Sequence, residues 1–313
     1  MFPPSTSFFP SHFSIQIYKH IPRKTAFPSL SLSLAGMEGE GTSEMEYTEI
    51  ESSADYFDSS ILFNIINDVS AFVLYMHQQV PSILQDMSIE FDTLHEEYKE
   101  LGSELAQNEL KASSRRKHTG RMREVRQGIK RMEKLMNSVS RFQAAIKSLI
   151  SETSNVQEVL LILGATPLRP QYVYELCFSH KNVVVRGADY FVKHKAAEVL
   201  SRKAIRTLIS KDAGSASYPG PTKLFLLVKA PSSINLPLHF IPKREFRYSK
   251  KIKPFKLRFK CKAQIHQMND PGPDREFQVG NSDDLANSSV EDSIWFQCRH
   301  AIKGIAFNRS DED

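Results

Sequence analysis

The stretch that most constrains the fold is residues 156–179, VQEVLLILGATPLRPQYVYELCFS. It begins with an apolar run, short enough for a strand buried on both faces. Gly164, Pro167 and Pro170 follow, and a helix interior does not tolerate two prolines so close together. Beyond them, aromatic and apolar residues occupy every second position, which is typical of a strand with one buried face. The stretch therefore predicts two strands joined by a tight turn as a hairpin.

Three main helices are predicted around this hairpin. Apolar residues recur at spacings of three and four over residues 55–79, 121–152 and 189–211, which indicates amphipathic helices. The apolar stripe of the first helix is wide enough to predict burial around much of its circumference. Between the first two helices, residues 83–120 are interpreted as a polar connector. Two interpretations remain for residues 83–112, a polar helix or a partly ordered segment, and residues 113–120, SSRRKHTG, are interpreted as a charged break.

The third helix has a predicted core face and a predicted flank. Ile205 belongs to the flank, among Arg202, Lys203 and Arg206, where it is either an ordinary exposed apolar residue or the centre of a helix-mediated contact. The core face is assigned to Val192, Ala196, Val199, Leu200, Ala204, Leu208 and Ile209.

The remainder of the chain predicts strands. Residues 223–229 form one strand, and residues 254–263 alternate apolar with basic side chains, which favours an antiparallel strand with a solvated basic face. A long loop at residues 269–287 is expected to be mobile, and residues 290–307 are expected to form one or two closing strands. Together these elements predict an α+β fold, with helices on one face of a mainly antiparallel sheet.

The predicted domain spans residues 55–307, between two segments without expected structure. Residues 1–54 are interpreted as a disordered extension and residues 308–313 as a tail. Residues 1–36 are basic, rich in Ser and Pro, and free of acids. Two interpretations remain for them, a targeting peptide or an extension foreign to the native protein with Met37 as its start, and we favour the second.

Composition and motifs disfavour several classes of function. The chain has 313 residues, a net charge of +5, and three widely separated cysteines, which suit reduced thiols. It contains no phosphate-binding loop, no HExxH, no G-x-S-x-G and no G-x-G-x-x-G. No apolar run approaches the ~20 residues of a membrane span. We therefore expect a protein that is not an enzyme, with no cofactor, no metal and no membrane partner.

Four segments resemble the HORMA-domain family, and within it the comet-like checkpoint-silencing adaptors. They are LYMHQQVP at residues 74–81, VLLILGATPLRPQYVYELCF at 159–178, FIPKREFRY at 240–248 and VEDSIWFQCRHAIKGIAF at 290–307. The resemblance implies three helices packed on a sheet, in a closed form. It also implies that Ile294, Trp295 and Phe296 form a pseudo-ligand strand, lying where another HORMA protein would hold a partner peptide.

The same resemblance implies an adaptor with two protein-binding surfaces. Met76, Arg202, Ile205 and Arg206 would face a closed HORMA-domain protein, either the mitotic-arrest-deficient checkpoint protein or a meiotic chromosome-axis protein. A second surface, at Pro242 and Lys243, would meet a hexameric AAA+ remodelling ATPase.

Two of these positions depart from the family pattern. Ile205 stands where the family carries an aromatic residue, and Met76 stands where it carries a glutamine, whereas the Pro-Lys pair is intact. Such an adaptor would silence the spindle checkpoint or act on meiotic chromosomes. Its place would be the nucleus and cytoplasm, including kinetochores or meiotic chromosomes.

An alternative hypothesis is a basic nucleic-acid or chromatin-binding protein. The second predicted helix and residues 243–262 are rich in Lys and Arg, and Phe246, Tyr248 and Phe255 are available to stack on bases. A solvated basic face is the commoner explanation of such a helix. Salt dependence discriminates the two hypotheses, because binding through several phosphates falls steeply with salt.

Overall fold

The computed structural model describes residues 47–305, except residues 53, 55, 85, 107–111, 154, 180–189, 215–219, 250 and 262–291. Within these residues the chain is an α+β fold with four helices and eight strands. The helices are α1 (Ser59–Met76), α2 (Met87–Ala106), α3 (Ala112–Glu152) and α4 (Tyr190–Ser210). The strands are β1 (Thr48–Glu51), β2 (Glu158–Thr166), β3 (Arg169–Phe178), β4 (Lys223–Pro231), β5 (Phe240–Lys243), β6 (Phe255–Lys260), β7 (Ser293–Cys298) and β8 (Ile302–Lys303).

Helix α1 is the central core helix, and the prediction of its wide buried surface is confirmed. Asp58 caps its first turn, its carboxylate accepting a hydrogen bond from the Ile61 amide at 2.8 Å. Ile65, Ile66 and Val69 are fully buried. Among the described residues, α1 is one helix long and apolar enough to cross a membrane by length and composition, and 67% of it is buried inside the fold. That burial is what a core helix of a folded domain shows.

The polar helix, one of the two interpretations of residues 83–112, is confirmed, whereas the charged break predicted at residues 113–120 was wrong. Residues 87–106 are helical, and α3 begins at Ala112, so the segment SSRRKHTG lies inside a helix. Arg and Lys are good helix formers, and a single glycine costs only about 1 kcal/mol. Glu97 and Arg121 form an ion pair at 2.6 Å, and Glu104 and His118 lie 2.8 Å apart. The polar helix α2 is thus held against α3, and the structure has four helices where three main ones were predicted.

The predicted hairpin is present and lies near the centre of the sheet. Strands β2 and β3 pair antiparallel, with Leu161 opposite Tyr174. At its end, a Cβ on Gly164 would lie 2.8 Å from the Arg169 carbonyl oxygen, so the close approach of the two strands requires glycine. The strand order is β1-β6-β3-β2-β4-β7-β5, with β8 beside β4.

Two predictions about the strands at the β3 side of the sheet were wrong. Strand β6 pairs in parallel with both β3 and β1, not antiparallel. Strand β1 lies in the extension that was expected to be disordered, and it pairs with β6 through residues 48–51. The other pairings in the described part of the sheet are antiparallel. The sheet is therefore mixed, although mainly antiparallel as predicted.

The two faces of the sheet bury different amounts of apolar surface. Alternate residues of the central strands, such as Leu161 and Leu226, join the helices in one large core. The intervening residues form a small second cluster on the opposite face, around Leu160, Ile162, Val173, Phe225 and Leu227. Residues 1–46, the loop at 269–287 and the tail at 308–313 lie outside the described residues, so those three predictions are untested.

Candidate functional site

The C-terminal strand β7 lies inside the sheet, between β4 and β5. Phe296 is opposite Val228 on one side and Pro242 on the other. Its side chain is 4% exposed in the helix-side core, where the half-buried Ile294 also packs. Trp295 points to the opposite face and meets the Phe246 ring edge-on, at 6.3 Å between centroids. The structure thus brings the three predicted pseudo-ligand residues into one strand that contributes to both faces.

The chain after β7 is anchored by the segment that follows α1. The fully buried Gln79 side chain donates a hydrogen bond to the His77 carbonyl oxygen at 2.7 Å and accepts one from the Thr222 amide at 2.7 Å. Its main-chain carbonyl oxygen accepts a hydrogen bond from the Ile305 amide at 2.9 Å. A Cβ on Gly304 would lie 2.1 Å from the Gln79 side-chain oxygen. This close packing fixes the C-terminal segment against the end of α1.

The prediction that Ile205 is a partner contact is contradicted by its burial. Ile205 is 2% exposed in the helix-side core, whereas Val199, assigned to the core face from sequence, is 37% exposed. Helix α4 packs against α1 and β1. The small residues Ala197, Ser201 and Ala204 form the buried line that Ile205 continues. The true core face is therefore rotated relative to the predicted one, and a run of small residues was the signal that could have shown it.

The other residues predicted to face a partner are at least partly accessible. Arg206 is exposed on the outer side of α4, and Arg202 is half-buried in an ion pair with Glu198. Met76 is half-buried at the end of α1. A Cβ added to Gly214 would lie 2.9 Å from the Met76 Cβ, so the two residues are closely packed. We call Val199, Arg202, Lys203 and Arg206 the α4 outer face.

Pro242 and Lys243 are exposed on β5. Strand β5 is the last in the sheet and pairs with β7. Proline has no amide proton, so Pro242 suits an edge strand and hinders the addition of a further strand. Lys243 lies opposite Trp295 and begins a turn, in which its carbonyl oxygen accepts a hydrogen bond from the Phe246 amide at 3.2 Å.

The α4 outer face and the β5 edge lie at opposite ends of the sheet. Helix α4 packs beside β1, the first strand in the order, and β5 is the seventh. Neighbouring strands are about 4.8 Å apart, so the two edges are separated by about 29 Å. Two proteins could therefore occupy these surfaces without meeting the same residues.

A buried polar pair at the C-terminal end of α1 was not predicted from the sequence. The His77 Nε2 atom lies 2.6 Å from the Tyr174 hydroxyl, and both side chains are at most 3% exposed. Burial lowers the pKa of His77 to about 4 and raises the pKa of Tyr174. His77 is therefore neutral at pH 7. A histidine just before the Pro81 turn was visible in the sequence, but its long-range partner was not.

A second polar group, on the open face of the sheet, was also missed. The Tyr47 hydroxyl donates a hydrogen bond to Glu175, which is only 8% exposed. Arg258 lies over the Tyr47 ring, with its guanidinium carbon 4.1 Å from the ring centroid, and the Lys256 ammonium is 4.8 Å from it. Burial, with the negative charges of Glu175 and Glu158, raises the pKa of Tyr248 to about 12. The polar side chains on this part of the open face therefore contact one another.

The described residues offer little for catalysis. Among them, no group of three or more His, Cys, Asp or Glu side chains is placed to hold a metal ion. One cavity of about 330 Å³ lies between α2 and α3, lined by residues that include Leu94, Arg121, Val125 and Met132. His239 and His300 lie 3.1 Å apart between ring nitrogens. The buried Cys298 thiol contacts the main chain of His300, and burial raises the pKa of this thiol to about 11, which disfavours a reactive thiolate. That the protein is not an enzyme stays a prediction.

Two sequence comparisons bear on the identity of the chain. No protein-family model matches the chain. No curated protein matches it either. The function is therefore inferred from the residues and their placement in the fold.

Proposed function

We propose that this protein is a non-enzymatic adaptor, which binds a closed HORMA-domain protein and presents it to a hexameric AAA+ remodelling ATPase. Its own fold would be HORMA-like and closed, with β7 as an internal pseudo-ligand strand. The client would be the mitotic-arrest-deficient checkpoint protein, a meiotic chromosome-axis HORMA protein, or both. The adaptor would work in the nucleus and cytoplasm, at kinetochores or on meiotic chromosomes.

One observation carries this proposal: two accessible surfaces lie at opposite ends of one continuous sheet. An adaptor must hold its client and its ATPase at the same time, and a separation of about 29 Å leaves room for both. The α4 outer face and the Pro242–Lys243 edge occupy these two ends.

The α4 outer face suits a contact between helices. Val199 is an apolar side chain at its centre, and Lys203 and Arg206 are exposed beside it. The Lys203 ammonium donates a hydrogen bond to the Glu51 carbonyl oxygen at 2.9 Å, which fixes the helix to β1. Because Ile205 is buried, Val199 replaces it as the apolar contact of the proposed interface. An apolar centre with a charged rim is the usual anatomy of a protein interface.

The β5 edge suits a charged contact with the ATPase. Pro242 fixes the local backbone, and Lys243 projects from it at the start of a turn. A lysine on a fixed backbone loses less conformational freedom on binding than one on a flexible loop. We expect an acidic patch on the ATPase as its target.

The position of β7 supports the closed form of the proposed fold. It is hydrogen-bonded on both sides, to β4 and to β5, and it places Phe296 in the core. A peptide from another protein would have to displace this strand before it could pair at the same place. Client binding is therefore assigned to the outside of α4 and not to a sheet edge.

The test measures both bindings on two variants. The α4 variant is Val199→Asp with Arg206→Glu, and the β5 variant is Pro242→Ala with Lys243→Glu. Isothermal calorimetry is performed with a closed checkpoint HORMA protein, with a meiotic HORMA protein and with the AAA+ hexamer. The charge-matched controls use exposed lysines outside both surfaces. Lys211→Glu with Lys223→Gln matches the α4 variant, and Lys251→Glu matches the β5 variant.

We expect the α4 variant to lose at least tenfold in affinity for the HORMA protein and to keep ATPase binding. The β5 variant should show the reverse pattern. The HORMA protein bound by the unmodified chain identifies the client. Loss of neither binding, or the same losses with the control variants, would refute the adaptor function.

A further inference from the structure

The solvent side of α3 carries a continuous row of cations. At about 100° per residue, one sector of about 80° contains eight positions between residues 116 and 141. Two of them are Thr119 and Asn137, and none of them is an acid. The other six are exposed cations, which we call the basic ridge: Arg116, Arg123, Arg126, Lys130, Lys134 and Arg141.

The two flanks of α3 differ in how their charges are satisfied. On the flank against α2, Arg121 pairs with Glu97 and His118 lies beside Glu104. Within the described residues, no ion pair involves any residue of the basic ridge. The acidic helix α2 therefore pairs with its own side of α3, and the ridge holds six cations without an ion pair among the described residues. Such a field attracts anions.

The dimensions of the ridge fit a nucleic-acid duplex. Residues 116 and 141 are 25 positions apart, which is about 38 Å along a helix. One turn of duplex DNA is about 34–36 Å long. Neighbouring positions of the sector lie three or four residues apart in the sequence, which is a distance of about 6 Å. The cations are therefore spaced so that they can contact phosphates along the whole turn of the duplex. An α-helix of this diameter also enters the major groove, which is about 12 Å wide.

The side-chain composition of the ridge favours a nucleic-acid duplex over other anionic partners. The sector holds no large apolar side chain, whereas a helix that lies on a membrane needs an apolar face. It holds no aromatic side chain either, and proteins that bind single strands use aromatic rings for stacking. Four of the six cations are arginines, which bind phosphate in a bidentate manner. Asn137 is an additional hydrogen-bonding residue of the kind that contacts phosphates, whereas the Thr119 hydroxyl donates its proton to the Arg115 carbonyl oxygen at 2.8 Å.

We propose that the basic ridge of α3 is a docking surface for the phosphate backbone of a nucleic-acid duplex, without sequence preference. It is separate from the α4 outer face and from the β5 edge, and it does not rest on the adaptor function. Binding there would hold the protein on DNA or on structured RNA while its other surfaces stay free.

The test uses the full chain and fluorescently labelled 30-base-pair DNA of random sequence, followed by fluorescence anisotropy between 50 and 200 mM salt. Six phosphate contacts predict a slope of about −5 in log K against log salt, which is an affinity loss of about 1000-fold over this range. Duplex RNA of the same length is measured in parallel, to distinguish the two sources of the backbone. A single-stranded DNA of equal length is expected to bind at least tenfold more weakly.

The ridge variant replaces four cations: Arg123→Gln, Arg126→Gln, Lys130→Gln and Lys134→Gln. Its control removes the same charge from four exposed lysines elsewhere: Lys195→Gln, Lys211→Gln, Lys223→Gln and Lys303→Gln. The ridge variant should bind duplex at least tenfold more weakly at 50 mM salt, with a slope that is smaller by about 3 to 4. The control should stay within about threefold of the unmodified chain. Circular dichroism melting checks that both variants remain folded.

Three outcomes would overturn the proposal. The first is equal weakening by the ridge variant and its control, because the attraction would then be a property of net charge. The second is weak binding to both duplexes with a shallow salt slope. The third is preferential binding of the ridge to an acidic peptide or to anionic lipid vesicles, both measured in competition with the duplex, because the partner would then belong to another class.

Discussion

On the face of the sheet that the helices cover, Leu161, Tyr174 and Leu226 are completely buried, whereas the opposite face carries Glu175 and Arg258 beside a small apolar cluster. The same strands supply both faces, because successive side chains of a strand point in opposite directions. The helix-covered face holds most of the apolar core, and the open face combines ion and ring contacts with a few apolar residues. We infer that the stability of the fold depends chiefly on the helix-covered face.

The sharpest test of this difference uses α4, which has one side in the helix-covered core and one side in solvent. Ile205→Asp should lower the free energy of unfolding by at least about 4 kcal/mol, because it places an unpaired charge and a smaller side chain in the core. Val199→Asp, six residues away on the outer face, should change it by less than about 1 kcal/mol. Urea denaturation measures both values. Similar midpoints for the two variants would place Ile205 at the surface.

A second test compares two neighbours on β7. Phe296→Ala removes a 4% exposed ring from the helix-covered core and should cost about 3–4 kcal/mol. Trp295→Ala removes a half-buried ring from the open face and should cost about 1–2 kcal/mol, in spite of its larger size. Both free energies are obtained from denaturant unfolding at pH 7. If the tryptophan variant were the less stable one, the assignment of stability to the helix-covered face would be wrong.

The third test uses pH and the buried His77. Its pKa is lowered from 6.5 to about 4, so between these values the unfolded chain binds a proton that the folded protein does not. Stability should therefore decrease as the pH falls from 6.5 to 4, by up to about 3 kcal/mol from this residue. His77→Gln should be less stable at pH 7 and should lack this part of the decrease.

Unfolding at several pH values between 7 and 4 measures the difference between the two proteins. His95→Gln, on α2 and half-exposed, is the matched control and should retain the full decrease. An identical pH profile for the unmodified chain and His77→Gln would show that the imidazole is not held neutral by burial.

Sequence patterns predicted the helices and strands that are set by interactions between residues close together in the chain. The prolines and the alternation in residues 156–179 predicted the hairpin of β2 and β3, because proline geometry and side-chain period act within a few residues. The helical spacing of apolar residues likewise predicted α1, most of α3, and α4 to within one residue at each end. Helix α2 was predicted only as one of two interpretations because its sparse apolar positions gave a weak signal, and its acids are matched by charges on α3.

The sequence by itself determined where this chain is helical or extended over most of the described residues, because backbone preferences and side-chain periods are short-range. The tertiary structure decided that β6 pairs in parallel, since its alternation is the same in either direction. It also decided which side of α4 is buried, because Val199 and Ile205 are both apolar and only packing against α1 and β1 chooses between them. The pairs His77–Tyr174 and Tyr47–Glu175 join residues about 100 or more positions apart, so only the folded chain brings them together.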